Sequence, residues 1–217
     1  MALRINDTVP DFSADSNVGP IRFHDWIGDS YAILFSHPKD FTPVCTTEFG
    51  AVAQLSGEWA KRGVKVMGVS VDGVSDHQKW VADIEAVGGA SVDFPIIADE
   101  NLEISKAFDM LPGEAYLPEG RTPNDTATVR SVFIIGPDKR LRLTMTYPMF
   151  VGRNFGEILR ALDGVMLSDG HPVATPANWV PGEDVVIKTT VSDEDAKAKF
   201  GEFKTLLPYL RMAKAPG

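Results

Sequence analysis

Two apolar runs with a helical period between them set the framework of this chain. Tyr31-Ala-Ile-Leu-Phe-Ser36 and Val64-Lys-Val-Met-Gly-Val-Ser-Val71 are short and apolar in the manner of strands buried on both faces. Between them Phe49, Val52, Leu55 and Trp59 recur at roughly helical spacing, and Arg62-Gly63 supplies a C-terminal stop. A strand-helix-strand unit is normally a right-handed crossover between parallel strands. The loop after its first strand then lies at the carboxyl edge of the sheet, where open α/β sheets place their ligands.

The alternation continues with a helix over residues 76–87, a strand over 94–99 and a short helix over 102–108. Residues 111–126 carry three prolines and two glycines and read as a long surface loop. Thr128-Val-Arg-Ser-Val-Phe-Ile-Ile135 and Leu141-Arg-Leu-Thr-Met-Thr-Tyr147 flank Gly136-Pro-Asp-Lys139 as an antiparallel hairpin. Phe155, Ile158, Leu159, Leu162 and Met166 mark an amphipathic helix expected to cover one sheet face. After Asp169-Gly170 the composition shifts to Pro172, Pro176, Trp179, Pro181 and Gly182, then a strand-like Val185-Val-Ile-Lys188, with Ser192 placed to cap a helix from Asp193. The expectation is an α/β domain over residues 1–168 and a small α+β arm over 169–217, packed on the main domain or on a second subunit.

With 44% hydrophobic and 24% charged residues, the 217-residue chain reads as an ordinary soluble globular protein. A formal net charge of -9 opposes nonspecific attraction to nucleic acid or anionic membranes. The opening residues lack the apolar core of a secretion signal, and no run approaches the ~20 apolar residues of a membrane span. A cytoplasmic location is therefore expected. One cysteine excludes an internal disulfide, so any disulfide involves a second molecule. One cysteine and four scattered histidines show no recognised ligand spacing, and neither a metal nor another cofactor is expected.

That cysteine sits in Pro38-Lys-Asp-Phe-Thr-Pro-Val-Cys45-Thr-Thr-Glu48. Thr42 suits an N-cap, Pro43 the first helical position, and Cys45 becomes the third. Unpaired amides and the positive end of the helix dipole there favour a thiolate over a thiol. A free cysteine titrating near ~8.5 is only a few per cent ionised at neutral pH, and lowering that by about two units makes the thiolate the majority species. A cysteine serving only as a small buried hydrophobe needs neither Thr42 and Pro43 nor the polar His37-Pro38-Lys39-Asp40 loop before it.

Pro38-x-x-x-Thr42-x-x-Cys45 resembles the proline, threonine and peroxidatic cysteine signature of the peroxiredoxins. Arg130 resembles the arginine that completes that family's site, and Glu48 matches a supporting carboxylate. Tyr147-Pro-Met-Phe-Val-Gly-Arg-Asn-Phe-Gly-Glu-Ile-Leu-Arg160 and the arm with Trp179-Val-Pro-Gly182 resemble the one-cysteine class with an extended C-terminal domain. The resemblance implies a thioredoxin-like fold with a central mixed sheet. It also implies a peroxidase in which the Cys45 thiolate attacks a hydroperoxide, hydrogen peroxide or organic, and becomes sulfenic acid. Thr42 and Arg130 would stabilise the charge on sulfur and oxygen, Pro38 would shield the sulfur, and Glu48 would orient an arginine. Arg153 and His37 match positions near the site in this class, and an ordinary surface location is the alternative for each. With no second cysteine, recycling falls to an external thiol, either a small thiol or a thioredoxin or glutathione system. The family favours a homodimer, with rings of dimers as a further possibility.

Three other functions compete. A cysteine hydrolase would pair Cys45 with His24, His37, His77 or His171, but no histidine is fixed by spacing. A non-enzymatic sensor or holdase would react once with peroxide and not turn over. Some members of the one-cysteine class are associated with a lipase-like activity on a Gly-x-Ser-x-Gly pattern. Here Gly28-Asp-Ser30-Tyr-Ala32 lacks the last glycine, and although His24 and Asp138 are present, a strand is expected where a nucleophile elbow needs a helix.

Overall fold

A computed structural model describes residues 3–216, which divide into two compact units between Arg153 and Asn154. The division precedes the compositional change at Asp169-Gly170, so the helix beginning at Phe155 is grouped with the arm.

The first unit opens with a two-residue ribbon, β1 (Ser13–Ala14) and β2 (Ile21–Arg22), and the short helix α1 (Phe23–Ile27). Then come β3 (Tyr31–Ser36), α2 (Pro43–Gln54), α3 (Ser56–Lys61), β4 (Val64–Ser70), α4 (Val74–Gly88), β5 (Ile96–Ala98) and α5 (Glu103–Ala107). The hairpin β6 (Arg130–Ile135) and β7 (Leu141–Tyr147) follows the long loop. These form a mixed five-stranded sheet in the order β5-β4-β3-β6-β7. Strands β3, β4 and β5 are parallel, as the crossover reading requires, and β6 and β7 are antiparallel.

Alternate residues of each strand serve opposite faces. Leu34, Met67, Val69 and Phe133 join Phe23, Ile27 and Phe108 in one core layer. Phe35 meets Phe49 of α2 at 4.9 Å, and Phe49 meets Trp80 of α4 at 4.8 Å. Glycines allow α2 and α4 to cross closely. A Cβ on Gly88 would lie 2.6 Å from the Gly50 Cα, and one on Gly50 would lie 2.9 Å from the Gly88 Cα.

The helix read as one piece from Phe49 to Trp59 is two, α2 and α3, broken at Leu55. The Val52 carbonyl accepts the Leu55 amide at 3.2 Å and the Trp59 indole at 3.0 Å, a tighter turn that leaves the α-helical ladder. The second unit contains α6 (Phe155–Gly170), β8 (Val173–Ala174), β9 (Val185–Ile187), α7 (Asp193–Phe200), β10 (Lys204–Leu207) and β11 (Leu210–Ala213). Its sheet runs β10-β11-β9-β8 over small cores of Val173, Trp179 and Val185 and of Ile187, Ala196 and Ala213. Asn154 caps α6 by accepting the Glu157 amide, and Ser192 caps α7 by accepting the Asp195 amide.

Candidate active site

The polypeptide leaves β3 at Ser36, turns through residues 37–42 and enters α2 at Pro43. Thr42 occupies the N-cap position with extended backbone, Pro43 begins the helix, and Cys45 lies in its first turn. The capping hydrogen bond expected of Thr42 is not formed. Its hydroxyl instead donates to the Lys39 carbonyl at 2.8 Å, and the cap position rests on backbone geometry and Pro43.

Cys45 is unpaired and fully buried. Arg130, the first residue of β6, brings Nη1 to 3.3 Å from its sulfur. The Arg130 side chain is only 3% exposed. It is aimed by two further bonds, Nη1 to Glu48 Oε2 at 2.7 Å and Nε to the Met149 carbonyl at 2.7 Å. Glu48, one turn beyond Cys45, is therefore more than a charge beside a helix terminus.

Arg153 holds Glu48 from the other side. Its Nη2 donates to Glu48 Oε2 at 2.6 Å, its Nε to Oε1 at 2.9 Å and its backbone amide to Oε1 at 2.8 Å. Its Nη1 reaches the carbonyls of Ser36 and Ser131 at 2.8 and 3.0 Å. Neither Arg153 nor His37 is a surface residue, because both are buried. Burial alone pushes the Glu48 carboxyl up, but the Arg153 bonds and the charges of Arg153 and Arg130 outweigh it and hold it below the ordinary range. One carboxylate thus fixes two guanidiniums, leaving a net positive cluster against the sulfur.

The loop before Cys45 is fastened by a second buried cluster. The Asp40 carboxylate receives His37 Nε2 at 2.7 Å on one oxygen and His77 Nδ1 at 2.6 Å on the other. Its amide donates to Asp72 Oδ2 at 2.8 Å. Burial would raise the Asp40 carboxyl, but the two histidine bonds prevail and bring it to about 2. Burial also lowers His37 below the usual imidazole range against the pull of Asp40, and its Nδ1 has no partner among the described residues. Pro38 is buried within this loop.

His37, Asp40 and Asp72 each bring one donor atom within 4.8 Å of the others, the arrangement among the described residues that most resembles a cation site. Both Asp40 oxygens already accept from imidazoles, and Asp72 Oδ2 accepts from the Asp40 amide and the Ser70 hydroxyl. Sequence reasoning missed Asp40 and Asp72 and met His77 only as a possible hydrolase base. Asp40 and His77 are 37 residues apart and meet only through the packing of α4. Ser30 is followed by strand β3, so the nucleophile-elbow turn is absent there. His24 Nε2 lies 3.0 Å from the Val9 carbonyl, and Asp138 binds Arg142.

A helix-terminal cysteine after a central strand of this mixed sheet, with a guanidinium on its sulfur, defines a thiol-based oxidoreductase of thioredoxin-like fold. Residues 5–144 match the AhpC/TSA family, and residues 165–202 match the C-terminal domain of 1-Cys peroxiredoxin. The mitochondrial peroxiredoxin PRX1 of Saccharomyces cerevisiae is 49% identical over 98% of this chain and 81% of its own length. The 1-Cys peroxiredoxin of Dictyostelium discoideum is 48% identical over 99% of this chain and 86% of its own. A crystal structure of a cysteine-to-serine variant of peroxiredoxin 6 from Arenicola marina superposes with a TM-score of 0.92 at 43% identity, covering 99% of both chains. The chain belongs to the 1-Cys peroxiredoxins, thiol-dependent peroxidases that reduce peroxides through a cysteine intermediate and are recycled by an external thiol.

Proposed function

We propose that Cys45 is the peroxidatic residue and that Thr42, Arg130 and Pro38 complete its site, with Glu48, Arg153 and His37 in support. The observation that carries this reading is the Arg130 guanidinium on the Cys45 sulfur, held there by Glu48. In the reaction, Cys45 as thiolate attacks one oxygen of hydrogen peroxide or an organic hydroperoxide. The S–O bond forms as the O–O bond breaks. Sulfur loses two electrons and becomes sulfenic acid, while the departing oxygen takes a proton and leaves as water or alcohol.

Arg130 donates to the sulfur and to the charge spreading onto oxygen. Thr42 has its hydroxyl hydrogen committed to Lys39, so its lone pairs are what it offers to a peroxide O–H. This division of labour differs from a site with two donors. A thiol then returns the sulfur to its reduced form. The solved yeast mitochondrial 1-Cys peroxiredoxin is described as resolved through glutathione and thioredoxin systems, and at 48% identity and a TM-score of 0.89 it supports one of these as reductant here. A cytoplasmic antioxidant role is part of the same proposal.

We further propose a homodimer. Beyond Leu141, strand β7 is the outer strand of its sheet, and Phe150 just after it is 93% exposed. Both favour pairing with a second copy.

Stopped-flow mixing with hydrogen peroxide and with an organic hydroperoxide, followed by mass detection at Cys45, tests the function. One added oxygen at Cys45, and many turnovers once thiol is supplied, are expected. A single reaction without turnover would favour a sensor, and no reaction would remove the proposal.

A further inference from the structure

One face of helix α4 reaches both the active-site loop and the start of α2. His77 Nδ1 meets Asp40 Oδ2 at 2.6 Å, and the Trp80 indole donates to the Thr46 hydroxyl beside Cys45 at 3.1 Å. His77 and Trp80 are three residues apart, both fully buried, and Trp80 stacks on His37 with ring centroids 5.0 Å apart. The second nitrogen of His77, Nε2, lies 3.1 Å from the Ile97 carbonyl of β5.

A carbonyl oxygen only accepts, and an ionised carboxylate only accepts. Both nitrogens of His77 therefore face acceptors, and the hydrogen-bond pattern is satisfied by a ring that donates twice. His37 differs: Nε2 faces Asp40, and Nδ1 has no partner among the described residues. The groups around His77 are thus Asp40 from the loop, His37 at 6.3 Å between centroids, the Ile97 carbonyl, and Asp72 through the Asp40 amide.

We propose that His77 and Asp40 are positioning residues of the peroxidase reaction, a buried imidazolium–carboxylate tie that sets residues 37–42 and hence the placement of Thr42 and Cys45. It rests on the reading of Cys45 as the peroxidatic sulfur. Asp40 is two residues before Thr42, and Phe41 between them holds a left-handed φ of 54°. Such a backbone persists only where its surroundings fix it. The Asp40 amide on Asp72 and the Asp40 carboxylate on His77 supply that fixing.

The test compares two isosteric fragments of the ring. His77→Asn keeps a donor where Nδ1 meets Asp40, whereas His77→Gln keeps one toward Ile97 and leaves an Asp40 oxygen unpaired. Stopped-flow oxidation of Cys45 by hydrogen peroxide is expected to slow at least about tenfold in His77→Gln, because small misplacements of reacting groups carry large rate penalties. His77→Asn is expected to exceed His77→Gln by at least about fivefold if the Asp40 contact is what matters. Alkylation of Cys45 by iodoacetamide, which needs a reachable thiolate but no peroxide geometry, is expected not to fall in parallel.

Equal oxidation rates in the two variants, or parallel losses in both reactions, would overturn the inference. Nitrogen-15 spectra of the native enzyme give an answer even where a variant does not fold: two protonated ring nitrogens on His77 support the tie, and a bare nitrogen facing Asp40 or Ile97 refutes it. Loss of peroxide reactivity in Cys45→Ser, measured alongside, tests the peroxidatic assignment separately. A native enzyme whose Cys45 does not react would defeat that assignment, whereas a reactive native enzyme with indifferent His77 variants would defeat only the tie.

Discussion

Arginine 130 touches three groups at once, and removing it has effects of different kinds. Its loss strips a donor from the sulfur and leaves Glu48 with Arg153 as its remaining guanidinium partner. Arg130→Gln is expected to slow Cys45 oxidation by about 100-fold or more, in line with the loss of one aimed donor at a developing charge. Arg130→Lys is expected to recover only part of this, since a point charge cannot bond sulfur, carboxylate and carbonyl in one plane. Single-turnover oxidation rates check both. Asp40 provides a pH test. Its folded carboxyl, at about 2, is depressed, so its stabilisation is present above the unfolded value of about 4 and is lost as pH falls toward 2. Native and Asp40→Asn proteins should differ by about 2 kcal/mol near pH 6, and the gap should shrink steadily below pH 4 in chemical denaturation. Of these residues, Cys45 and Thr42 stood out because a helix start in one local run contains both, whereas the role of Pro38 was implied only by the resemblance. Arg130 and Glu48 were legible only through resemblance, since 82 residues separate them and nothing local announces their pairing.

At the level of elements, β3 to β7 and the helices between them followed from their periodicity because they bury apolar residues, whereas β1, β2 and α1 are too short to show one. The break between α2 and α3 did not, because it depends on the Trp59 indole competing for the Val52 carbonyl. The hairpin of β10 and β11 was also unread: β10 is exposed along its length and alternates no apolar face toward a core. The crossing of α2 and α4 makes a prediction of its own. Gly88→Ala places a methyl 2.6 Å from the Gly50 backbone, so α4 must move away from α2. A cost of about 1–3 kcal/mol is expected from overpacking, read by denaturant melts. The same shift would draw Trp80 from Thr46 and His77 from Asp40, so peroxide reactivity should fall although Gly88 is far along the helix.

For the whole molecule, the proposed homodimer predicts that self-association depends on the apolar surface beside β7. Phe150→Glu is expected to shift the protein toward a monomer in sedimentation velocity at micromolar concentration, with secondary structure retained. Among the described residues no helix is long and apolar enough to cross a membrane. The enclosure of the Cys45 sulfur also bears on the catalytic cycle as a whole. A hydroperoxide needs to insert only two oxygens beside Arg130, whereas a reducing thiol must line up behind the sulfur of the sulfenic acid and bring its own bulk with it. The first turn of α2 is then expected to admit the two partners unequally. If Cys45 is the reacting sulfur, recycling is expected to require local opening of that turn, and turnover at saturating peroxide should then track the ease of that opening rather than the strength of the oxidant.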